Sequence, residues 1–196
     1  MVLWFYGCYL SYGFRSYKET GDAYFLLTIM VELAKLTNQE LHIVGLDYIK
    51  IFDRVPQKIV LEVATVFGLD KGVCRALQSM HSSPRRAFKI NGCLGSFFQA
   101  TNGILQGCPL SVSLINMLTS IWKRAIDKLD GGFKIDVNLL VPMPPLAKQL
   151  DHYKVGAIGY ADDTYLLAPS PPPLSAGLRV TEKYLVHTTA CIQNIV

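Results

Sequence analysis

Short apolar runs alternate with stretches of helical periodicity along this chain, and the pattern predicts a mixed fold of helices and strands. The runs 41–46, 155–159 and 164–168 are rich in β-branched and aromatic residues, which is typical of buried strands. Alternation predicts a half-exposed strand over 133–139, and the last residues have the pattern of another strand. Apolar spacing predicts helices over about 22–37, 71–80, 111–129 and 174–188, and one that begins near Pro56.

Local signals fix the expected ends of several helices. Asp22 and Ser111 are expected to be N-caps, and Gly68 is expected to end the helix after Pro56. The proline-rich stretches 142–145 and 169–173 predict loops. In the first helix, the residues expected to face the core are Phe25, Ile29, Met30, Leu33 and Leu36.

The dipeptide Asn91-Gly92 between two apolar segments predicts a β-hairpin with a type I′ turn. Its first strand carries three cations, Arg85, Arg86 and Lys89, which could follow a phosphate backbone. Charged residues on the wet face of a hairpin are equally ordinary, and the sequence leaves both interpretations open.

The chemically distinctive stretch is Tyr160-Ala161-Asp162-Asp163, with apolar runs on both sides. We expect a β-hairpin that carries Asp162 and Asp163 at its tight turn. Adjacent carboxylates repel and raise each other's pKa unless a positive charge neutralises them, and Mg²⁺ prefers such hard oxygen ligands. An exposed Asp-Asp turn is the alternative for the dipeptide alone.

A third acid, Asp47, closes the strand 41–46, and a Gly-flanked turn holds Gln106 before the helix 111–129. If the strand and the Asp-Asp hairpin are neighbours in one sheet, three carboxylates converge. Such a cluster suits phosphoryl transfer assisted by two divalent ions about 3.5–4 Å apart.

Composition limits the classes of protein that need to be considered. The chain has 196 residues, of which 51% are hydrophobic and 17% charged, so one folded domain with a substantial core is expected. The net charge of +4 permits a nucleic-acid partner without requiring one. Five cysteines without a CxxC pair favour neither a disulfide framework nor zinc. The apolar start lacks the features of a signal peptide, no run is long enough for a membrane span, and an intracellular protein is expected.

Four segments together resemble the motifs of reverse transcriptases. Residues 46–55 resemble motif A, residues 103–111 motif B and residues 160–163 the YxDD box of motif C. Residues 12–20 resemble the fingers motif that precedes them. The Phe-Asp form of motif A and the YADD box are most similar to enzymes of non-LTR retrotransposons and group II introns.

The resemblance implies a catalytic centre of three acids. Asp47, Asp162 and Asp163 would bind two Mg²⁺ ions, with Mn²⁺ as the alternative ion. The backbone carbonyl of Tyr48 would contribute to one metal. Phe52 falls on the aromatic steric gate, which would exclude a 2′-hydroxyl and so select dNTPs over rNTPs.

The same resemblance implies contacts with nucleotide and nucleic acid. Gln106 and Gly107 would border the incoming nucleotide, while Arg15 and Lys18 would face its phosphates or the template. RNA template and DNA primer are the implied partners, and a membrane is not. The remaining residues expected to contact nucleic acid are Arg85, Arg86, Lys89 and Tyr160.

The implied fold is α+β: a right-hand polymerase palm, with an antiparallel sheet and helices packed on one face, plus partial fingers. Residues 1–40 would be partial fingers and 41–196 the palm. The thumb is expected to be missing and to lie, with other element domains, in a longer parent protein. Residence in the nucleus is implied by the resemblance alone, because no basic targeting cluster is present.

Two other functions compete with an RNA-directed DNA polymerase. An RNA-dependent RNA polymerase shares the chemistry, but Phe52 and the YADD box argue against it. A catalytically inert palm that only folds or binds nucleic acid is the second alternative. The expected lack of a thumb argues for this alternative, and the intact acid triad argues against it. The sequence also departs from the family pattern at Ile51, just before the gate, and at 16–18 in the fingers motif.

Overall fold

The computed structural model describes residues 12–13, 17–82, 85–100, 102–105, 107–135, 153–160, 163–188 and 192–195. Arg15, Gln106 and Asp162, three of the predicted site residues, lie outside the described residues. The helices are α1 (Thr20–Leu36), α2 (Ile51–Arg54), α3 (Gln57–Val66), α4 (Lys71–Ser82), α5 (Pro109–Asp127) and α6 (Pro171–Thr188). No helix in these described parts is long and apolar enough to cross a membrane.

The strands in the described part of the chain form one four-stranded antiparallel sheet and three short two-stranded pairs. The order in the larger sheet is β10-β1-β9-β8. The strands are β1 (His42–Tyr48), β2 (Arg85–Arg86), β3 (Lys89–Ile90), β4 (Cys93–Leu94), β5 (Phe98–Gln99), β6 (Phe133–Ile135), β7 (Tyr153–Val155), β8 (Ala157–Tyr160), β9 (Asp163–Ala168) and β10 (Ile192–Ile195).

Helices cover both faces of the four-stranded sheet, so the expectation of helices on one face is wrong. Leu46 and Leu166 on one face pack with Trp122 and Ile126 of α5 and with apolar residues of α6. On the other face, Met30 and Leu33 of α1 belong to the same buried cluster as Ile158 and Leu167. Adjacent residues of a strand point to opposite faces, so Leu166 packs towards α5 and α6 while Leu167 packs towards α1.

The first helix forms as predicted, but its buried side differs from the expected one. Phe25 and Leu36 are 67% and 79% exposed, while Ala23 and Ala34 lie in the core with Met30 and Leu33. The N-cap is Glu19, and its amide donates to Oδ2 of Asp22 at 2.8 Å. Asp22 is therefore the third helical residue of a capping box rather than the cap itself.

Helices α5 and α6 start earlier than predicted. The N-cap of α5 is Cys108, while Ser111 lies inside the first turn and its hydroxyl donates to the Leu105 carbonyl at 2.7 Å. Helix α6 begins within the proline run at Pro171, where a missing amide proton costs no helical hydrogen bond. The two helices are joined by a buried bond of 3.0 Å from Nε1 of Trp122 to Oγ1 of Thr181.

Other local predictions are confirmed or refined. Asn91 and Gly92 have φ angles of 50° and 83°, as a type I′ turn requires, and Gly68 follows α3 with φ of 77°. The predicted strand 155–159 is interrupted at Gly156, because β7 pairs with β6 while β8 joins the larger sheet. Strand β10 confirms the strand expected at the last residues.

Candidate active site

Asp47 lies inside β1, one residue before its end, rather than closing the strand as predicted. It pairs with Asn194 of β10 on one side, and the register with β10 shifts between Asp47 and Tyr48. The residue is half-buried. Its carboxylate makes no hydrogen bond or ion pair with any residue that the structure describes.

Asp163 is the first residue of β9 and pairs with Tyr160, the last residue of β8. It therefore belongs to the strand, whereas the sequence predicted it at the turn. Residues 161–162 connect the two strands, and Asp162 lies outside the described residues. Asp163 is exposed and takes part in a polar or electrostatic interaction.

The register brings Asp47 and Asp163 to the same end of the sheet. Leu46 pairs with Thr164 across β1 and β9, so Asp47 and Asp163 come next in line on the two strands. Leu46 packs with Trp122 and Ile126 of α5, and its buried partner Thr164 lies on the same face of the sheet. Asp47 and Asp163, each one residue away from this pair, therefore lie on the opposite face.

Two carboxylates at the same end of neighbouring strands and on the same face of the sheet would repel each other, and a divalent cation bound by both would neutralise that repulsion. Their hard oxygens fit Mg²⁺ or Mn²⁺. Within the described residues, no three His, Cys, Asp or Glu side chains form a metal-binding group. The predicted triad is thus represented there by two of its three acids.

Tyr48, whose carbonyl was predicted to assist the metal, sends its side chain into the core. The residue is 3% exposed and packs with Ile51 and Val55. Burial raises the pKa of Tyr48 to about 12, with the Thr164 side chain acting in the opposite direction. Burial also raises the pKa of Tyr184 on α6, and the proximity of Tyr48 adds to that shift.

Phe52 lies in α2, half-buried, and packs partly against the core that contains Ile51. Backbone hydrogen bonds join its segment to the start of motif B: the Ile104 amide donates to the Phe52 carbonyl at 2.7 Å, and the Gly103 amide to that of Val55 at 2.9 Å. The side-chain amide of Gln57 adds a 3.3 Å bond to the Gly103 carbonyl. The predicted gate and the predicted nucleotide turn thus belong to one hydrogen-bonded unit.

Gly107 is exposed and has a φ of 86°, a left-handed conformation that glycine adopts at low cost. Lys18 is exposed, and its Nζ lies 5.4 Å from the centre of the Tyr12 ring. The Tyr12 amide in turn donates to the Gly159 carbonyl at 2.9 Å. Through its contact with Tyr12, Lys18 therefore lies near the edge of β8, the strand that leads into the YADD box.

The basic residues of the hairpin 85–99 lie in different environments. Arg85 and Lys89 are exposed, whereas Nε and Nη2 of Arg86 are buried and have no hydrogen-bond partner among the described residues. His81, which the sequence analysis did not consider, is 5% exposed, and its Nδ1 also lacks a partner there. Burial lowers the pKa of His81, and the charge of Arg86 lowers it further.

Comparison with known proteins identifies the family of this chain. The sequence model of the family described as "Reverse transcriptase (RNA-dependent DNA polymerase)" matches residues 6–194. The chain therefore belongs to the reverse transcriptase family.

Similar proteins come from non-LTR retrotransposons. The chain is 26% identical to the Xenopus laevis "Transposon TX1 uncharacterized 149 kDa protein", over 91% of this chain and 13% of that protein. It is 27% identical to the Pol polyprotein of the type-1 retrotransposable element R2 from Popillia japonica, over 72% of this chain. The chain spans about a fifth or less of these relatives.

Solved telomerase structures share the fold. Telomerase from Candida tropicalis, in complex with the TWJ fragment of telomeric RNA, aligns with 97% of this chain and 30% of its own. The TM-score is 0.60 at 15% sequence identity. Candida albicans telomerase gives a TM-score of 0.56, also at 15% identity, over 91% of this chain. At such low identity the likeness shows the fold alone, a mixed helix and sheet architecture like that of a reverse transcriptase palm.

Proposed function

We propose that this chain is the palm of an RNA-directed DNA polymerase from a retrotransposon-like element, adding dNTPs to a DNA primer on an RNA template. The observation that carries the proposal is the strand register that sets Asp47 beside Asp163 at one end of the sheet. The Asp47 carboxylate has no hydrogen-bond or ion-pair partner among the described residues, which is consistent with a role as a metal ligand. Membership of the reverse transcriptase family makes nucleotidyl transfer the chemistry to test.

The residues that would hold the metal ions are Asp47, Asp162 and Asp163, with the Tyr48 carbonyl. When bound, Mg²⁺ or Mn²⁺ would stabilise the negative charge that develops on the attacking and leaving oxygens. The chain's own contribution is position: antiparallel pairing fixes the spacing of the two strands that carry the acids.

Around this centre, Phe52 would select the sugar, and Gln106 and Gly107 would border the nucleotide. The backbone hydrogen bond from Ile104 to Phe52 supports a position for these residues on the same side of the nucleotide site. Arg15 and Lys18 would meet phosphate groups. Exposed Arg85 and Lys89 are better suited than Arg86 to a phosphate backbone, because the two Arg86 nitrogens without partners are buried.

The wider organisation follows the same proposal. Residues 1–40 would belong to the fingers and 41–196 to the palm, with thumb and further element domains in a longer parent protein. A nuclear site of action would match a retrotransposon-like origin. Tyr160, at the end of β8, would lie beside the primer strand.

The test is primer extension on an RNA template with dNTPs and Mg²⁺, for the unaltered chain and for Asp47→Asn and Asp163→Asn. A matched control is Asp130→Asn, an acid that is 86% exposed and forms an ion pair with Lys134 at 3.6 Å. Asp130 lies near Glu40 and Pro169, at the other end of the sheet from Asp47. We expect extension that survives in Asp130→Asn and falls at least about a hundredfold in the other two variants.

Equal activity in all variants would contradict the assigned acids. Absence of extension in the unaltered chain, with salt-sensitive binding of primer–template retained, would favour the inert palm that only holds nucleic acid. Extension with rNTPs in preference to dNTPs would favour an RNA polymerase instead.

A further inference from the structure

Lys123 is a buried lysine in α5, the longest helix among the described residues. It follows Trp122 and precedes Ile126 on the side of α5 that packs against the sheet, and it is only 2% exposed. Lysine is almost never buried to this degree unless its ammonium is paired, because removing the charge from water is costly. Lys123 is indeed engaged in an interaction within the folded chain.

The end of the Lys123 side chain lies against Gly159 of β8. A Cβ atom on residue 159 would lie 2.9 Å from Nζ of Lys123 and 3.1 Å from its Cε. The Asp163 carbonyl oxygen would lie 3.5 Å from the same Cβ position. Gly159 is not among the glycines with positive φ, so the backbone does not demand glycine there. Glycine at 159 instead leaves the space that the lysine occupies.

This contact lies directly beneath the YADD hairpin. Gly159 precedes Tyr160 and pairs with Thr164, while Tyr160 pairs with Asp163 in the final step of the ladder. Thr164 is buried on the α5 face, so the Asp47 and Asp163 carboxylates lie across the sheet from the lysine. The Lys123 side chain therefore ends against the backbone of the same two strands, on the face of the sheet opposite to the two acids.

We propose that Lys123 is a positioning residue that anchors the turn end of the β8–β9 hairpin from the α5 face of the sheet, with the missing side chain of Gly159 leaving room for it. The inference deepens the proposed function, because the anchored hairpin is the one that carries Asp162 and Asp163. The Lys123 ammonium fixes the distance between α5 and the turn end of the hairpin. Its charge also offsets part of the negative charge of the two acids on the other face of the sheet. Lys123 itself touches neither metal nor nucleotide.

The first test is amide hydrogen exchange on the metal-free chain, comparing Lys123→Met with the unaltered protein. Methionine keeps the length and apolar stem of lysine but removes the ammonium. We expect exchange at least about tenfold faster for Tyr160, Asp163 and Thr164, with no change at Val44 and Leu166 in the middle of the sheet. The matched control is Lys128→Met, which removes an exposed lysine just after α5 and is expected to change neither region.

The second test couples positions 123 and 159 through binding of Mn²⁺ alone, followed by electron paramagnetic resonance. Gly159→Ala is expected to weaken Mn²⁺ binding about tenfold, because the new methyl group displaces the lysine. In a Lys123→Ala background the same change is expected to alter binding less than twofold, since the clash is gone.

Each outcome decides between a local anchor and ordinary core packing. Uniformly faster exchange throughout the sheet, or none at all, overturns the proposal, as do additive effects of the two substitutions on Mn²⁺ binding. If Gly159→Ala does not fold, the exchange comparison on Lys123→Met still decides. Failure of the unaltered chain to bind Mn²⁺ contradicts the proposed metal site, while the exchange test still judges the anchor.

Discussion

The amide of Ile104 donates a 2.7 Å hydrogen bond to the carbonyl oxygen of Phe52, which ties two segments about fifty residues apart in the chain. A second bond joins Gly103 to Val55, and Pro56 pairs with Asn102. Main-chain hydrogen bonds therefore hold the segment with the predicted sugar gate against the turn that is predicted to border the nucleotide. A disturbance on either side should reach the other.

Gly103→Ala tests this junction. Gly103 has a φ of 90°, and a Cβ there would lie 2.8 Å from the Asp53 carbonyl oxygen, a backbone atom that cannot move aside easily. Gly107→Ala is the matched control, with a similar φ of 86° and open space around the new methyl group. We expect Gly107→Ala to cost about 1–2 kcal/mol in the free energy of unfolding, and Gly103→Ala about 2 kcal/mol more. Urea unfolding measures both, and equal costs would contradict the steric argument.

Phe52→Val tests the sugar gate. Shortening the aromatic ring should open space for a 2′-hydroxyl and raise the use of rNTPs relative to dNTPs at least about tenfold. The measurement is the ratio of kcat/KM values for one rNTP and its dNTP. Phe67→Val is the control, because Phe67 packs against the same core cluster from the end of α3. A similar change of selectivity in both variants would point to general loosening of the core.

Two substitutions on α6 should have opposite effects on stability. The Tyr184 hydroxyl is buried without a hydrogen-bond partner among the described residues, so Tyr184→Phe should leave the free energy of unfolding unchanged or raise it by up to about 1 kcal/mol. Thr181→Val should cost about 1–3 kcal/mol, because it leaves the buried indole N–H of Trp122, which donates to Thr181, without an acceptor. Chemical denaturation gives both values, and a large loss in Tyr184→Phe would reveal a partner for its hydroxyl.

His81 should make the fold sensitive to mild acid. Burial, assisted by the Arg86 charge, lowers the pKa of His81 below its ordinary value of 6.5. The unfolded chain therefore binds this proton at a higher pH than the folded chain does. The free energy of unfolding contributed by His81 is fully present above about pH 6.5 and is lost as the pH falls toward the lower folded pKa.

The measurement is urea unfolding at several pH values between 5 and 7.5. His81→Leu should show a smaller fall in stability over this interval than the unaltered protein. Arg86→Met should also reduce the fall, because it removes the charge that disfavours protonated His81. An unchanged pH dependence in both variants would mean that His81 takes up its proton equally in both states.

Sequence patterns predicted the local structures well because their causes are local. Asn91-Gly92 alone determines a type I′ turn, and Gly68 alone marks the end of α3. The buried side of α1 was harder to predict, since apolar residues lie on more than one side of that helix. Small residues there, Ala23 and Ala34, allow close packing against β8, and Phe25 is left outside.

The candidate site was predictable only in part, because its geometry depends on contacts between residues distant in sequence. Neither the pairing of Leu46 with Thr164 nor the place of Asp163 inside β9 follows from periodicity, because register depends on contacts distant in sequence. The prediction that the three acids converge in one site rested mainly on the family resemblance. Lys123 was missed, although one cation among Trp122, Ile126 and Leu129 on an apolar face was a usable signal.

Strand β1 lies between β9 and β10, and its partners come from the far end of the sequence. His42 meets Ala168, and Asp47 meets Asn194, each pair more than a hundred residues apart. Such long loops must close before the sheet gains any pairing energy, so α5 and the hairpin 85–99 can form long before the acids come together. During refolding from denaturant, helical signal should therefore return quickly, whereas the strand pairing that brings Asp47 and Asp163 to one end of the sheet should form late.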